Sequence, residues 1–272
     1  MKMVGLAEDK AIFDQLVSIN QLFGLNLELS WYELAKTNQK TLSNFAVEAN
    51  IFISIIKGLP TLLYYSGDNN DKNQQNYELL KISPNWQSLT KRIVSAGRKS
   101  ELLLQATKLT SAMRAIDMTA GFGQDSLILA STGAKVAMIE QNPLMFLLLQ
   151  FEYQHMQQNP NWQKLLSRLT LHFGNATDIV PTLAQVDVVY LDPMFPPDSY
   201  SAKVNKNMQV LHQLAEPPTH DEELILLNIA KNQCVDGGKV IVKRPKNAPF
   251  LANLPPQDSI ANEAVRFDSY AN

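Results

Sequence analysis

Cysteine is nearly absent from this chain of 272 residues, and its scarcity narrows the chemistry available. The single Cys234 cannot form an internal disulfide, and none of the four histidines stands at metal-ligand spacing from a second ligand. The sequence therefore predicts an intracellular, cytoplasmic protein that holds no metal.

Long apolar runs are also missing. Glu8 and Asp9 stand among the first apolar residues and interrupt the apolar core that a secretory signal needs. The most apolar stretch, residues 51–65, is broken by Lys57 and Pro60 and is too short to cross a bilayer. We expect no membrane association, and a buried strand or helix in this stretch.

The chain lacks an excess of positive charge. Its formal net charge is −2, whereas attraction to phosphate usually shows as a basic excess. Any contact with RNA or DNA must therefore be local. Basic residues do cluster at four places, each typical of a solvated surface when taken alone: Lys91 and Arg92; Arg98 and Lys99; Lys203 and Lys206; and Lys243, Arg244 and Lys246.

The chain does have enough apolar residues for a core, at 45% of its composition, and one clear compositional break. Polar residues crowd together from Ser66 to Asn76, between two short apolar segments at 61–65 and 77–82. This pattern favours a loop within a hairpin. It predicts a small N-terminal α/β domain over residues 1–85 and a second domain over 86–272.

The second domain alternates strands and helices, which predicts a parallel, doubly wound α/β sheet. Ser100 is expected to cap a helix that runs to Ser111, and the apolar run 144–151 is expected to be the buried face of another. Sheets of this kind bind ligands at the carboxyl ends of their strands. The predicted strands are 115–118, 135–139, 169–173, 186–191 and 239–242, and the main helices are 124–131, 143–156 and 222–232.

The first motif follows the first of these strands and reads Asp117-Met-Thr-Ala-Gly121-Phe-Gly123-Gln-Asp125. Glycines permit a tight turn and close approach of a ligand, and the helix that follows offers free N–H groups. A carboxylate at Asp117 repels a pyrophosphate but suits the ammonium of a methionine moiety, which favours S-adenosylmethionine over NAD. Ser126 stands where a dinucleotide fingerprint has its third glycine, which also favours S-adenosylmethionine over NAD. A tight turn without a ligand is the alternative.

Two further strand ends carry polar residues that suit a nucleoside. Glu140 ends the next strand, where an acid can accept the two ribose hydroxyls of a bound nucleotide. Asn175 follows the third strand and is a candidate hydrogen-bond partner for the adenine edge. A solvated acid at a strand end is the alternative for Glu140.

The fourth strand ends in Asp192-Pro193-Met194-Phe195-Pro196. An exocyclic amine on a base ring is a poor nucleophile, because its lone pair is delocalised into the ring. Asp192 and a carbonyl of the rigid turn after it can accept the two N–H bonds and direct the lone pair toward an incoming methyl, while Phe195 stacks on the base. The alternative is a plain turn after a buried strand.

These motifs, with Glu140-Gln-Asn-Pro143, Val242-Lys-Arg-Pro245 and Arg266-Phe-Asp268, resemble the bacterial ribosomal RNA small subunit methyltransferase J family. The resemblance covers about residues 97–271. It implies a Rossmann-like, class I, S-adenosylmethionine-dependent methyltransferase with a seven-stranded, mostly parallel sheet whose last pair includes an antiparallel strand. It also implies methylation of the N2 amine of a guanine in 16S rRNA or the small ribosomal subunit.

The resemblance also implies which residues act. The catalytic residues would be Asp192, Pro193 and Phe195. The S-adenosylmethionine site would comprise Asp117, Gly121, Gly123, Gln124, Asp125, Glu140, Gln141, Asn175, Ala176 and Asp192. Lys243 and Arg244, at the carboxyl edge of the fifth strand, are the expected RNA contacts.

Two other functions stay open on the residues alone. One is methylation of a different amino acceptor, such as adenine in DNA or a glutamine amide in a protein. The other is a non-catalytic RNA-binding assembly factor that keeps the fold; intact Asp117, Glu140 and Asp192 argue against it.

Overall fold

The computed structural model describes residues 1–66, 78–195 and 214–271, apart from the side chains of Val47, Glu48, Ser66 and Glu78. The first part of the chain builds a five-stranded sheet in the order β2-β1-β3-β4-β5. Strand β1 runs parallel to β2 and β3, and the remaining pairs are antiparallel. Its elements are β1 (Lys2–Gly5), α1 (Lys10–Leu22), β2 (Ser30–Glu33), α2 (Gln39–Glu48), β3 (Ile51–Ile56), β4 (Leu59–Ser66) and β5 (Glu78–Ile82).

The apolar stretch 51–65 forms the β3–β4 hairpin, so the expectation of buried structure is confirmed. Lys57 and Gly58 connect the strands with φ values of 54° and 76°. Positive φ at both residues matches the right-handed twist of the strands on either side. Strands β4 and β5 pair from Leu62 opposite Ile82 to Ser66 opposite Glu78, which confirms the second hairpin. The polar loop predicted between them, residues 67–76, lies outside the described residues.

The rest of the chain builds a seven-stranded sheet in the order β11-β12-β10-β9-β6-β7-β8. Its elements are α3 (Thr90–Ser95), α4 (Leu102–Thr107), β6 (Arg114–Asp117), α5 (Gln124–Ser131), β7 (Lys135–Glu140), α6 (Pro143–Gln157), α7 (Pro160–Leu166), β8 (Leu169–Phe173), α8 (Ala176–Ile179), β9 (Val186–Leu191), α9 (His220–Asn232), β10 (Cys234–Pro245), β11 (Asp258–Ala261) and β12 (Val265–Ala271).

Strand directions in this sheet confirm the expected class. The pairs β7–β8, β6–β7, β6–β9 and β9–β10 are parallel, and β12 runs antiparallel to both β10 and β11. The strand order reverses between β6 and β9, since the chain first moves outward to β7 and β8 and then returns to the other side of β6. A crevice for a ligand opens at such a switch point, beside the carboxyl ends of the strands.

Helix α6 lies between the two sheets. Ten of its fifteen residues are buried, as expected for the run 144–151. Leu144 and Phe146 pack in one core cluster with Met3 and Ile53 of the small sheet, whereas Leu149 packs in the core of the large sheet. A helix that is apolar all round must be covered on all sides. The two sheets therefore share a core across α6, and the domain boundary at residue 85 stays a prediction.

The prediction for the helix after Ser100 is wrong in its details. Helix α4 begins after Glu101 and ends at Thr107, and Lys108 terminates it with a positive φ of 53°. The Ser100 hydroxyl instead donates to the carbonyl oxygens of Ser95 and Gly97 and so closes the turn before the helix. Serine often bonds local backbone in this way, and the sequence does not show which turn it will serve.

Two features are absent from the described residues. They contain no helix whose length and apolar character would let it cross a bilayer. They also contain no group of three or more His, Cys, Asp or Glu side chains arranged to hold a metal ion.

Candidate active site

A single cavity of about 1480 Å³ opens at the carboxyl ends of the central strands. It collects polar residues that are far apart in the chain: Gly121 after β6, Glu140 at the end of β7, Asn175 after β8, Asp192 after β9 and Lys243 in β10. The parallel direction of these strands brings their ends to one edge. The volume exceeds that of a usual small-molecule pocket, so it has room for a nucleoside and a second ligand.

The glycine turn after β6 presents its backbone to the cavity at Gly121. This residue has a φ of 56°, and its N–H donates to Glu140 Oε2 at 2.8 Å. A Cβ here would meet Met145 Cε at 3.5 Å and the Thr119 carbonyl oxygen at 4.0 Å, which are ordinary contacts, so the space above the turn is open. The turn is fixed from behind because the Trp86 indole N–H donates to the Phe122 carbonyl at 2.7 Å.

Gly123, the second glycine of the turn, packs against the core. It does not line the cavity, and a Cβ on it would come within 2.6 Å of Met138 Cε and 3.1 Å of a Trp86 ring carbon. Its φ is 74°. Glycine is required here for the turn and for close packing beneath it, and the assignment of Gly123 to the cofactor site stays a prediction.

Asp117 lies at the floor of the cavity and is only 1% exposed. Its Oδ1 accepts the Thr119 N–H at 3.1 Å, and its Oδ2 accepts the Ser126 hydroxyl. Burial raises the pKa of Asp117 to about 7, against the effect of these hydrogen bonds. Ser126 therefore stands in place of a third glycine because its hydroxyl serves the carboxylate of Asp117.

Glu140 ties the glycine turn to the next connection. Its Oε2 accepts the Gly121 N–H and its Oε1 accepts the Asn142 N–H at 2.7 Å, while the residue is 8% exposed. Burial raises its pKa, and the backbone N–H groups oppose the rise. Each carboxylate oxygen can accept more than one hydrogen bond, so Glu140 keeps capacity for two hydroxyls.

The remaining residues predicted for the cofactor site lie along the same cavity wall. Asn175 caps α8, since its Oδ1 accepts the Thr177 N–H at 3.0 Å. No described residue accepts from its amide nitrogen, which leaves that nitrogen to donate to a ligand. Three others line the cavity, with Ala176 buried and Gln124 and Gln141 exposed.

Asp192 stands where β9 ends. Its backbone N–H donates to the Thr119 hydroxyl at 2.6 Å, which joins the ends of β6 and β9. Its Oδ2 accepts the Lys243 ammonium at 2.7 Å, and its side chain is 31% exposed. Within residues 1–66, 78–195 and 214–271, no group donates to Oδ1. Asp192 therefore offers one carboxylate oxygen to the cavity.

Lys243, which is predicted to contact RNA, connects two carboxylates in the cavity. Its ammonium donates to Asp125 Oδ2 at 2.9 Å as well as to Asp192, and the Tyr190 hydroxyl donates to the same Asp125 oxygen at 2.6 Å. Burial lowers the pKa of Lys243, but the two carboxylates outweigh burial and raise it. Its charge is already paired.

The two aspartates respond differently to this shared cation. Burial raises the pKa of Asp125, but Lys243 and Tyr190 outweigh it and the pKa is lowered. Burial also raises the pKa of Asp192; Lys243 opposes this and the pKa stays raised. Sequence reasoning did not predict this cluster, because Lys243 reaches the site only through the pairing of β10 with β9.

Arg244, the second predicted RNA contact, is paired inside the protein. It is 3% exposed, its Nη2 donates to Glu223 Oε1 at 2.9 Å, and its Nε donates to the Pro249 carbonyl. Its guanidinium carbon lies 4.4 Å from the centre of the Phe195 ring. Phe195 is 5% exposed and lines the cavity together with buried Pro193. Arg244 thus covers one face of the ring that was predicted to stack on a base.

The charges around the cavity suit a cationic ligand. Three cations, Arg92, Lys99 and Lys243, neutralise part of the charge of the seven carboxylates that line it, which are Glu101, Asp117, Asp125, Glu140, Asp192, Glu216 and Glu222. A sulfonium with an ammonium group fits this surplus of negative charge, and a pyrophosphate does not. The residues present therefore fit S-adenosylmethionine.

The strand order, the glycine turn and the acids at the strand ends define a class I S-adenosylmethionine-dependent methyltransferase. A family model described as "putative SAM-dependent methyltransferase" matches residues 68–272. The chain belongs to the ribosomal RNA small subunit methyltransferase J family, and its cofactor is S-adenosylmethionine.

Two relatives illustrate this membership, and one solved structure shares the fold. The ribosomal RNA small subunit methyltransferase J of Psychrobacter arcticus is 56% identical over 225 residues, which are 74% of this chain and 75% of that protein. The protein of the same name from Psychrobacter cryohalolentis is 47% identical over 271 residues, 90% and 85% of the two chains. A crystal structure of a SAM-dependent methyltransferase from Neisseria gonorrhoeae shares the fold, with a TM-score of 0.67 at 23% identity, covering 100% of this chain and 96% of that one.

Proposed function

We propose that this enzyme methylates the exocyclic N2 amine of a guanine in 16S rRNA, with S-adenosylmethionine as the donor. The names of the relatives support ribosomal RNA of the small subunit as the substrate. The observation that carries the choice of an amine is the Asp192 carboxylate, which is fixed by Lys243 on one oxygen and turns the other to the cavity. An oxygen so placed accepts an N–H bond.

Asp192 acts on the amine through its hydrogen bond. Accepting one N–H localises electron density on the nitrogen, and a carbonyl of the Asp-Pro turn accepts the other N–H. Thr119 and Lys243 hold Asp192 in place before the substrate arrives, so little reorganisation is needed during the transfer. Transfer would break the bond between the methyl group and the sulfonium as the new N–C bond forms, which leaves a neutral thioether, and the methylated amine then loses its proton to water.

The donor lies against the wall from Gly121 to Asn175. When bound, S-adenosylmethionine supplies an electrophilic methyl group carried by a sulfonium. Glu140 accepts from the ribose hydroxyls, and the Asn175 amide donates to the adenine edge. Asp117 and Asp125 supply negative charge for the methionine ammonium and the sulfonium. Gln124, Gln141 and Ala176 complete the wall.

Phe195 and Pro193 form the side of the cavity where the base enters. Because the Arg244 guanidinium covers one ring face, only the edge or the opposite face of Phe195 is available to the guanine. Phe195 therefore forms a wall of the base pocket. One face of its ring lies against the Arg244 guanidinium, so that face is not available to stack on the base.

The direct test supplies the purified protein with S-adenosylmethionine carrying a labelled methyl group. Three acceptors are offered separately: 16S rRNA or small subunits from cells that lack the gene, genomic DNA, and total cellular protein. Digestion and mass spectrometry should find N2-methylguanosine in the rRNA alone. Label in adenine of DNA or in glutamine of a protein would overturn the proposal in favour of another amino acceptor.

A further inference from the structure

Positive charge is concentrated in a short part of the chain that borders the cavity. Residues 91–108 contain five basic residues and one acidic residue, Glu101. This segment therefore carries a net charge of +4, whereas the whole chain carries −2, so the other residues sum to −6. Against an acidic background, a local excess of this size is the kind of feature that attracts phosphates.

The five basic residues are all exposed, and most of them lack a carboxylate partner. Arg92 binds Glu101 through two hydrogen bonds of 2.8 and 2.9 Å. In the part of the chain that the structure describes, no carboxylate forms an ion pair with the other four. We call the following set the basic stripe: Lys91, Arg92, Arg98, Lys99 and Lys108, with the half-buried Lys239 at its end.

The stripe begins at the mouth of the active-site cavity. Arg92 and Lys99 are among the residues that line it. Glu101 raises the pKa of Arg92 most, and Asp125 adds to the effect, which shows how near this cation lies to the cluster around Lys243. These two cations therefore lie within reach of a chain whose base enters the cavity on this side.

The stripe then continues away from the cavity along α4. Arg98 lies at one end of this helix and donates to the carbonyl oxygen of Lys108 at the other. Lys239 is close to both, because burial first and then the charges of Lys108 and Arg98 lower its pKa. Three cations gathered in this way repel one another, and a polyanion laid across them would relieve that repulsion.

We propose that the basic stripe is the surface that holds the sugar-phosphate backbone of the RNA beside the active site. The inference rests on the proposed function, because it takes RNA as the substrate. It moves the RNA contacts from Lys243 and Arg244, whose charges are paired inside the protein, to cations that face solvent. Contacts to the backbone carry no sequence information, so they hold the RNA in register while the cavity selects the base.

The test compares two triple variants. In the first, Lys91, Arg98 and Lys108 are replaced by glutamine; none of these residues lines the cavity. In the second, the matched control, Lys57, Lys135 and Lys164 are replaced; they are equally exposed and lie outside the stripe. Affinity for a 16S rRNA transcript is measured over a range of salt concentrations, and affinity for S-adenosylmethionine is measured on the same samples.

We expect the stripe variant to bind the transcript at least about tenfold more weakly, with the slope of log affinity against log salt reduced by about 2, since each lost phosphate contact removes about 0.7 to 0.9. The control should keep the wild-type slope, and both variants should bind S-adenosylmethionine normally. An unchanged slope in the stripe variant would overturn the inference, and the proposed function would survive if the wild-type protein still methylates the rRNA.

A footprint on the unaltered protein gives a second readout that does not depend on any variant folding. Acetylation of lysine amines is followed by mass spectrometry with and without the transcript. Lys91, Lys99 and Lys108 should lose reactivity when RNA is bound, and Lys57 and Lys164 should not. Equal reactivity at both sets would contradict the inference, whereas failure of the wild-type protein to methylate 16S rRNA in any form would instead remove the proposed function.

Discussion

The ammonium of Lys243 lies 2.7 Å from Asp192 Oδ2, and the same ammonium lies 2.9 Å from Asp125 Oδ2. One cation is thus shared between an acid at the start of α5 and an acid just past the end of β9. A charge-assisted contact of this length fixes the rotamer of Asp192 and favours its ionised form. The site depends on this arrangement, because an ionised, fixed carboxylate accepts the N–H of a weakly nucleophilic amine more strongly than a neutral group does.

Replacing Lys243 by methionine should therefore raise the pKa of Asp192. The rate of transfer falls as Asp192 is protonated, so loss of the cation should move the acid side of the pH–rate profile upward by about one unit or more, the usual effect of an opposite charge nearby. Asp117, Asp125, Tyr190 and Arg244 also face this carboxylate and stay in place. The measurement is the single-turnover rate against pH.

The matched control for this experiment is Lys243→Arg, which keeps the charge and should leave the acid limb near its wild-type position. If the acid limb of the pH–rate profile lies at the same pH in the methionine and arginine variants, a group other than Asp192 determines that limb. Equal losses of rate at every pH in both variants would mean that Lys243 acts only through packing.

Asp117 should make the stability of the protein depend on pH. The pKa of Asp117 is about 7 in the folded protein and near the ordinary aspartate value of 3.8 in the unfolded chain. The folded state then holds a proton more tightly, so the contribution is fully present below about pH 4 and is lost as pH rises through about 7. Asp117→Asn should flatten this part of the thermal stability profile, by on the order of 1 to 4 kcal/mol.

The same carboxyl group reports on the donor. If the methionine ammonium lies near Asp117, binding should lower its pKa and release protons at pH 7. Calorimetry in buffers of different ionisation enthalpy measures this release, which should vanish in Asp117→Asn. Release that persists unchanged in the variant would separate Asp117 from the ammonium.

Glu140→Gln should weaken the binding of both S-adenosylmethionine and its demethylated product. An amide cannot accept with both atoms, so one of the backbone N–H groups of Gly121 and Asn142 loses its partner along with one ribose hydroxyl. We expect a loss of about 1 to 3 kcal/mol for each ligand. A selective loss for the donor alone would show that Glu140 responds to the sulfonium and not to the ribose.

Arg244→Met should reduce stability and leave the salt dependence of RNA binding unchanged. Removing one partner of a buried pair leaves Glu223 without its cation, which costs about 3 to 5 kcal/mol. Chemical denaturation gives the stability, and the transcript titration gives the slope. A stable variant with a reduced slope of log affinity against log salt would show that Arg244 contacts RNA.

Strand and helix positions in the large sheet follow closely from sequence periodicity. The predicted strands 169–173 and 186–191 and the helix 124–131 have the bounds that the structure gives them. Each is a short apolar run bounded by turn residues, and local pattern decides such elements. The acids at strand ends could also be located, because a parallel sheet carries all of them to one edge.

What the sequence could not show is which side chains meet across the sheet. Lys243 and Arg244 are neighbours with the same charge, yet one faces the cavity cluster and the other packs under Phe195 against Glu223. Side chains alternate between the two faces of a strand, so the faces can be assigned only after the pairing of β10 is known. The packing of Trp86 beneath Gly123 joins two segments that are far apart in the chain, so the sequence pattern did not show it either.

The mechanism depends most directly on Asp192. Asp192→Ala should fold normally, bind S-adenosylmethionine with little change, and transfer the methyl group in a single turnover at least about a hundredfold more slowly, the usual cost of removing one preorganised electrostatic partner. Asp192→Asn should retain part of the rate, since its amide oxygen still accepts one N–H bond. If Asp192→Ala transfers the methyl group to the verified rRNA substrate at a near-normal single-turnover rate, another group orients the amine and the account given for this site is wrong.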